Sequence, residues 1–348
     1  MLFRSEIETM SLNTRKLGLG VMGVGDLFFE LEISYGSKQC LEFIERLMEF
    51  INYYAKLASI ELSKERGRMP YFDKSFYKDG KLPFAGFKDK KSWHFDWNEV
   101  AKKIKKYGIR NSFNTAIAPT GSISMIAGTS SGIEPIFSLV FEKSVAIGNF
   151  YYVDPVFEER MHKEGLMDED LIKDAAVLNG SIKQIPYIPE RLKKIFITAM
   201  DISPVDHIKV LAAFQKWTDS SISKTNNFPS DASVDDIKKA YLLAYELGCK
   251  GVTVYRDKSL KQQVLIGGST KKKHAETSKL ATLKDEKAKG LTVYSEAASN
   301  PSVSLGLSPV EEDTNSNNSM KNCPSCKIPL TKQEGCIKCP ACGWGLCG

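Results

Sequence analysis

Residues 220–255 read SSISKTNNFPSDASVDDIKKAYLLAYELGCKGVTVY. Three pieces of different periodicity share this stretch. Ser220 to Thr225 alternates hydroxyls around Ile222 in the manner of a strand. Ser233, with Asp236 three residues on, marks a helix start; Ile237, Ala240, Tyr241, Ala244 and Leu247 then recur at helical spacing, and Gly248 ends the run. Val252 to Tyr255 reads as a second strand. Strand, helix, strand within about thirty-five residues is the unit of an α/β fold. The unit alone does not separate a doubly wound sheet from a barrel.

The pattern continues upstream. From Ser37 to Lys64, Leu41, Ile44, Met48, Ile51, Ala55, Ala58 and Leu62 recur every three or four residues, which predicts a long helix with one apolar face. Arg66 to Pro70 stops it. Asp96 is placed to cap a shorter helix, with Glu99 reaching back, Val100, Ile104 and Tyr107 inward, and Gly108 at the end. Pro155–Glu164, Pro189–Met200 and Val205–Trp217 read as further helices, and Leu139 to Pro189 otherwise as turns and helical pieces. Phe113 to Ala118 reads as a buried strand.

That strand runs into the most chemically loaded segment, Ala118 to Pro135, APTGSISMIAGTSSGIEP. Pro119 blocks continuation of a ladder, and Gly121 lets backbone approach a ligand closely. Free amides there want an anion. A helix beginning near Ser122 adds its first N–H groups, and Thr120, Ser122 and Ser124 add hydroxyl donors. Pro119, Thr120, Gly121, Ser122 and Ile123 are therefore candidate phosphate-binding residues. Ser124 is a candidate substrate or cofactor contact; Glu134 either does the same or caps local backbone. A Gly/Ser-rich loop with no ligand is the plain alternative.

Composition sets bounds. The chain has 348 residues, 42% of them hydrophobic and 26% charged, enough for one large domain with appendages. No run approaches the roughly 18 apolar residues of a membrane helix, and Met1 to Met10 lacks a signal-peptide core, so a cytoplasmic location is the default expectation. The formal charge of +6 comes from lysines interspersed with acids. Lys102, Lys103, Lys105 and Lys106 fall on one helix and read as a solvated face. His94, His162, His207 and His274 show no ligand spacing.

Six of the eight cysteines, Cys323, Cys326, Cys336, Cys339, Cys342 and Cys347, crowd the C-terminus. Two Cys-Pro-x-Cys knuckles, Cys323/Cys326 and Cys339/Cys342, suit four thiolates around one Zn²⁺. In a reducing compartment a zinc ribbon is expected over a disulfide-stapled tail. Residues 266–320, rich in Ser, Lys, Thr, Asn and Glu, read as a disordered linker with one β-like stretch, Leu291 to Tyr294. The expected organisation is 1–265, 266–320 and a Cys-rich tail at 321–348.

The segment from Ala118 to Pro135 closely resembles the substrate-phosphate loop of ribonucleotide reductase large chains, most nearly the adenosylcobalamin-dependent class II. Thr14 to Gly23 resembles the segment after that family's radical-bearing loop, and Gln215 to Thr225 and Gly251 to Asp257 resemble its last barrel strands. The resemblance implies the C-terminal portion of a ten-stranded α/β barrel. It also implies reduction of a ribonucleoside di- or triphosphate by a radical mechanism, with adenosylcobalamin, a thioredoxin-like reductant and a dimeric complete enzyme.

In the family a cysteine-bearing tail reduces an active-site disulfide, so Cys336 and Cys347 are one candidate redox pair. Cys342 and Cys347 are the other, in which case Cys336 and Cys339 complete the zinc site. The family's Asn-x-Cys-x-Glu radical loop lies before the segment matching Thr14 to Gly23, so it is expected on an N-terminal part or chain. Cys40 has Lys38 where Asn is required and falls inside the long helix, which excludes it as the radical cysteine; Cys249 reads as structural. Asp219, Ser221 and Ser223 resemble family positions. Two rivals remain: a non-catalytic zinc-ribbon binding protein, and part of an iron-dependent class I large chain. Lys321, Lys327, Lys332, Lys338 and Trp344 are a thin set for nucleic acid, which is not an expected partner.

Overall fold

A computed structural model describes residues 5–145, 148–259, 331–333, 336–338 and 345–347. The chain divides into two compact units, Met1–Ser295 and Glu296–Gly348. In the first, ten helices are described: α1 (Ser5–Thr14), α2 (Val24–Glu30), α3 (Lys38–Arg66), α4 (Trp97–Tyr107), α5 (Gly121–Ala127), α6 (Pro155–Lys163), α7 (Glu169–Val177), α8 (Glu190–Ile195), α9 (Pro204–Lys216) and α10 (Val234–Glu246). They accompany an antiparallel hairpin, β1 (Val140–Val145) with β2 (Gly148–Val153), and a parallel pair, β3 (Thr225–Phe228) with β4 (Thr253–Arg256).

The parallel pair belongs to a longer arc. Leu19 bridges Thr115 and Ile117 bridges Ile222, both in parallel sense. Segments 17–20, 113–117, 220–228 and 253–256 thus lie side by side. Gly20 permits the first approach, since a Cβ there would meet the Ala116 carbonyl oxygen at 2.3 Å. Where the resemblance implies the C-terminal portion of a ten-stranded barrel, the described residues form a mixed α/β arrangement with an open parallel arc and no closed barrel.

Local signals placed most elements. Ser233 and Asp236 form a reciprocal capping box on α10, and Gly248 follows that helix with φ +74°. Ser37 caps α3 and Asp96 caps α4 through the Glu99 amide. The regular strand of the opening unit runs from Thr225 to Phe228, later than the hydroxyl pattern suggests, because only Ile222 of the preceding stretch makes a ladder bridge. The helix expected from Pro189 shrinks to Glu190–Ile195. Tyr107, Tyr241 and Leu247, expected inward, are exposed. The hairpin β1–β2 lies where the sequence suggested turns and helical pieces.

One correction bears on the interior. Ile44 and Met48 of α3 are buried as expected, but Leu41, Ile51, Ala55 and Leu62 are only partly buried and Ala58 is exposed. The second half of the helix instead buries Asn52, Lys56, Ser59, Ile60 and Ser63. Around α3, α4 and α9 the core is aromatic: Trp97 stacks on Trp217 with centroids 5.9 Å apart, and both touch Phe84. A second core joins β1 to α6, α7 and α8 through Leu139, Val140, Phe157, Leu171 and Leu192. A third, small core seats Ala240 and Ala244 of α10 against Ile208 and Phe228.

Candidate functional site

The segment 113–118 lies inside the arc. Leu17 and Leu19 donate backbone N–H groups to Phe113 and Asn114 on one side; Ser220 and Ser223 donate to Thr115 and Ile117 on the other. At Pro119 the chain leaves the arc, Thr120 takes a left-handed turn at φ 56°, and α5 begins. Thr120 makes no side-chain cap. The amides of Gly121, Ser122 and Ile123 therefore have no acceptor within their helix, and all three residues are exposed. Nothing lies within 4 Å of the position a Gly121 Cβ would take, so the backbone there is open to a ligand.

The hydroxyls sort themselves by orientation. Ser122 is exposed and Thr120 faces Ser131 across 3.5 Å. Ser124 is buried and donates to the Gly121 carbonyl at 3.2 Å, so its hydroxyl serves the helix rather than the mouth of the loop.

The returning limb is tied down at each step. Ser131 Oγ donates to the Pro119 carbonyl at 2.5 Å, closing the loop on itself. Asp26 on α2 accepts from the Ser130 amide at 2.7 Å, and its own amide donates to Ser130 Oγ at 3.2 Å. Tyr35 donates to the Ile133 carbonyl at 2.6 Å. Glu134 accepts from the Thr225 amide at 2.5 Å and from Lys224 Nζ at 2.8 Å. Both carboxylate oxygens of Glu134 are thus engaged, one by the backbone at the start of the neighbouring strand and one by Lys224.

Beneath the loop lies a polar network that periodicity did not reveal. The Lys56 ammonium pairs with Asp219, both side chains fully buried. Lys56 Nζ also donates to Asn114 Oδ1 at 2.8 Å and Tyr77 Oη at 3.1 Å. Asp219 accepts from the Asn114 amide at 2.7 Å, and its own amide donates to Thr115 Oγ1 at 2.9 Å. Burial pushes the Lys56 ammonium down and Asp219 opposes that shift. The signal was present in sequence as Asn52, Lys56, Ser59 and Ser63, a polar stripe at helical spacing. Local sequence does not distinguish it from a solvated face, because its counter-charge, Asp219, lies far along the chain.

Cys40 is buried near the start of α3, and burial pushes its thiol up to about 12. Cys249 is pushed up to about 11 for the same reason. Neither is an activated thiol. Cys323, Cys326, Cys339 and Cys342 lie outside the described residues, as do 266–320; among the described residues no group of three metal-ligating side chains occurs. In the second unit, β5 (Thr331–Gln333), β6 (Cys336–Lys338) and β7 (Gly345–Cys347) form an antiparallel sheet in that order. Its register sets Cys336 directly opposite Cys347.

A family model described as the ribonucleotide reductase barrel domain matches residues 3–255. The chain belongs to the ribonucleotide reductase family. It is 41% identical over 280 residues to a vitamin B12-dependent ribonucleoside-diphosphate reductase of Thermoplasma acidophilum, covering 80% of this chain and 33% of that one. A protein of the same name from Mycobacterium tuberculosis is 35% identical over 259 residues, covering 74% and 33%. The ribonucleoside-diphosphate reductase subunit alpha of Chlamydia pneumoniae is 36% identical over 257 residues, covering 70% and 24%. The reductase chain thus spans about a third or less of the length of these relatives. A solved structure, the Actinobacillus ureae class Id ribonucleotide reductase alpha subunit, shares the fold with TM-score 0.57 and 24% identity, over 72% of this chain and 40% of that one. Among the described residues of this reductase chain, no helix is long and apolar enough to cross a membrane.

Proposed function

We propose that this chain supplies the substrate-phosphate cradle and the reducing tail of an adenosylcobalamin-dependent ribonucleotide reductase. The observation that carries the reading is the set of exposed amides at Gly121, Ser122 and Ile123, beside the Ser122 hydroxyl, on a loop whose limbs are otherwise bonded into the fold. Such donors suit the oxygens of a ribonucleoside di- or triphosphate. Identity to two B12-dependent reductases favours that class over the iron-dependent one and over a non-catalytic zinc-ribbon protein.

Adenosylcobalamin, when bound in the complete enzyme, would supply the radical. The cavity of about 530 Å³ between α9 and α10, lined by Val205, Phe228 and Leu243 among others, is small for a corrinoid, so that cavity would not be its seat. Gly121, Ser122 and Ile123 would hold the phosphate. In the tail, Cys336 and Cys347 would join as a disulfide, giving two electrons and two protons to a disulfide at the active site; a thioredoxin-like dithiol then restores them. Opposed positions of an antiparallel pair are about 4.5–5.5 Å apart at Cα, within disulfide range. This register supports Cys336/Cys347 over Cys342/Cys347. Zinc on Cys323, Cys326, Cys339 and Cys342 completes the proposal.

The experiment compares ADP and adenosine binding by calorimetry for the wild-type chain and Gly121→Ala. A Cβ at this position meets no protein atom, so the fold is retained while approach of a phosphate is obstructed. ADP binding that exceeds adenosine binding and falls at least tenfold in the variant is the expected result. Equal binding of the two ligands overturns the assignment. Peptide mapping of the oxidised tail, with Cys336 and Cys347 joined, checks the pair.

A further inference from the structure

The loop that carries the proposed phosphate site ends in a buried, charged fastening. Lys224, 1% exposed in its side chain, stands just before β3 with Nζ surrounded by three acceptors: Glu134 Oε2 at 2.8 Å, the Thr225 carbonyl at 2.9 Å and His207 Nδ1 at 3.1 Å. An ammonium has three protons to give, and all three are placed. His207 on α9 is itself buried, with Nε2 2.9 Å from the Ala199 carbonyl. That carbonyl requires Nε2–H, which leaves Nδ1 as an acceptor and the ring neutral. Burial and the neighbouring Lys224 push His207 down to about 3, in agreement with the geometry.

Glu134 is the opposite jaw. Its two oxygens are divided between the Lys224 ammonium and the Thr225 amide. One residue earlier, Tyr35 secures the Ile133 carbonyl, and the Tyr35 ring lies under the Lys224 ammonium at 5.7 Å. The limb 133–134 therefore meets the turn after α2 and the start of β3, and α9 supports the latter through the contact of His207 with Lys224. The loop's other limb leaves the same arc at Pro119, so the separation of the limbs, and with it the aim of the Gly121–Ile123 amides, depends on where Glu134 is held.

We infer that Lys224 is a positioning residue for the phosphate loop, acting through Glu134 with neutral His207 as its second support. It touches no substrate. The consequence for ligand binding rests on the phosphate-site reading above; the holding of the loop does not.

The test uses the whole chain with Glu134→Gln, Lys224→Met and the double variant. The double variant leaves neither jaw charged, so it avoids stranding a buried ion, and its melting temperature shows whether the fold is intact. Hydrogen exchange is followed in peptides covering 119–135 and, as controls, α4 and α7. The expected result is faster exchange in 119–135, at least tenfold, in Glu134→Gln and in the double variant, with controls unchanged. ADP affinity in a double variant that melts like wild type should fall about tenfold, which loss of global stability would not produce. Unchanged exchange in 119–135 overturns the assignment. Faster exchange with no ADP binding by the wild-type chain supports the role of Lys224 and instead removes the phosphate site.

Discussion

Lys56 shows how much of this interior hangs on single charges. Its ammonium and the Asp219 carboxylate are both fully buried, and Asp219 additionally fixes the backbone at Asn114. Removing one partner strands the other. Lys56→Met is expected to lower stability by about 3–5 kcal/mol in denaturant titration, with Lys56→Met/Asp219→Leu recovering part of the loss. Asn226 presents the reverse case: it is buried, and neither its amide nitrogen nor its oxygen has a partner among the described residues. Asn226→Val should raise stability by roughly 1–3 kcal/mol, read as a higher melting temperature, because it removes desolvated polar atoms without breaking a bond. Neither role could be read from local sequence. A lysine four residues from an asparagine and three from a serine is also what a wet helix face looks like; only the approach of Asp219 makes it an interior. The loop residues were legible, since Pro119, Gly121 and the neighbouring hydroxyls announce free amides locally. Ser124 was not, because its orientation depends on the turn of α5.

Helices reveal themselves at their ends more faithfully than along their faces. Asp96 and Ser233 cap the helices expected of them, and Ser37 caps α3 where the long helix was expected to begin, since a cap is decided by a handful of adjacent atoms. Ser233→Ala should cost about 1 kcal/mol, seen in thermal melting, by removing its half of the α10 capping box. Asp154, the cap of α6, adds a pH dependence. Burial raises its carboxyl to about 6, opposed by the Phe157 amide and assisted by Asp26. The folded state thus holds a proton that the unfolded chain has already released, so this group's contribution falls as pH rises from about 4 to 6. His207 acts in the opposite sense: the unfolded chain takes up a proton that the folded ring refuses, and stability is lost as pH falls from about 6.5 toward 3. The stability difference between Asp154→Asn and wild type isolates the first effect; it should grow by roughly 1–3 kcal/mol in favour of the variant between pH 4 and 7. The hairpin β1–β2 escaped notice because its order comes from packing on α7 rather than from a clean alternation of its own.

The first compact unit carries apolar surface close to its donor groups. Ile123 is 56% exposed, Met125 82% and Ile126 87%, with Leu17 and Leu19 exposed on the adjoining edge of the arc. Ile126→Lys is expected to leave the melting temperature unchanged and to reduce binding of an apolar dye such as ANS, together with aggregation at high concentration. An α/β class was legible from one strand–helix–strand unit, whereas the barrel came only through resemblance: arc segments joined by single bridges have too little ladder to declare themselves by alternation. The same arc governs how the molecule assembles in time. Thr115 finds one neighbour in Leu19 and another in Asp219, each about a hundred residues away along the chain, so two long loops must be closed before the segment leading into loop 118–135 has both its partners. On a ribosome that segment emerges after Leu19 but well before Asp219, so it waits about a hundred residues for its second neighbour. Loop 118–135 is consequently among the last parts to acquire its shape, and refolding followed at the loop should lag behind refolding followed by helical signal.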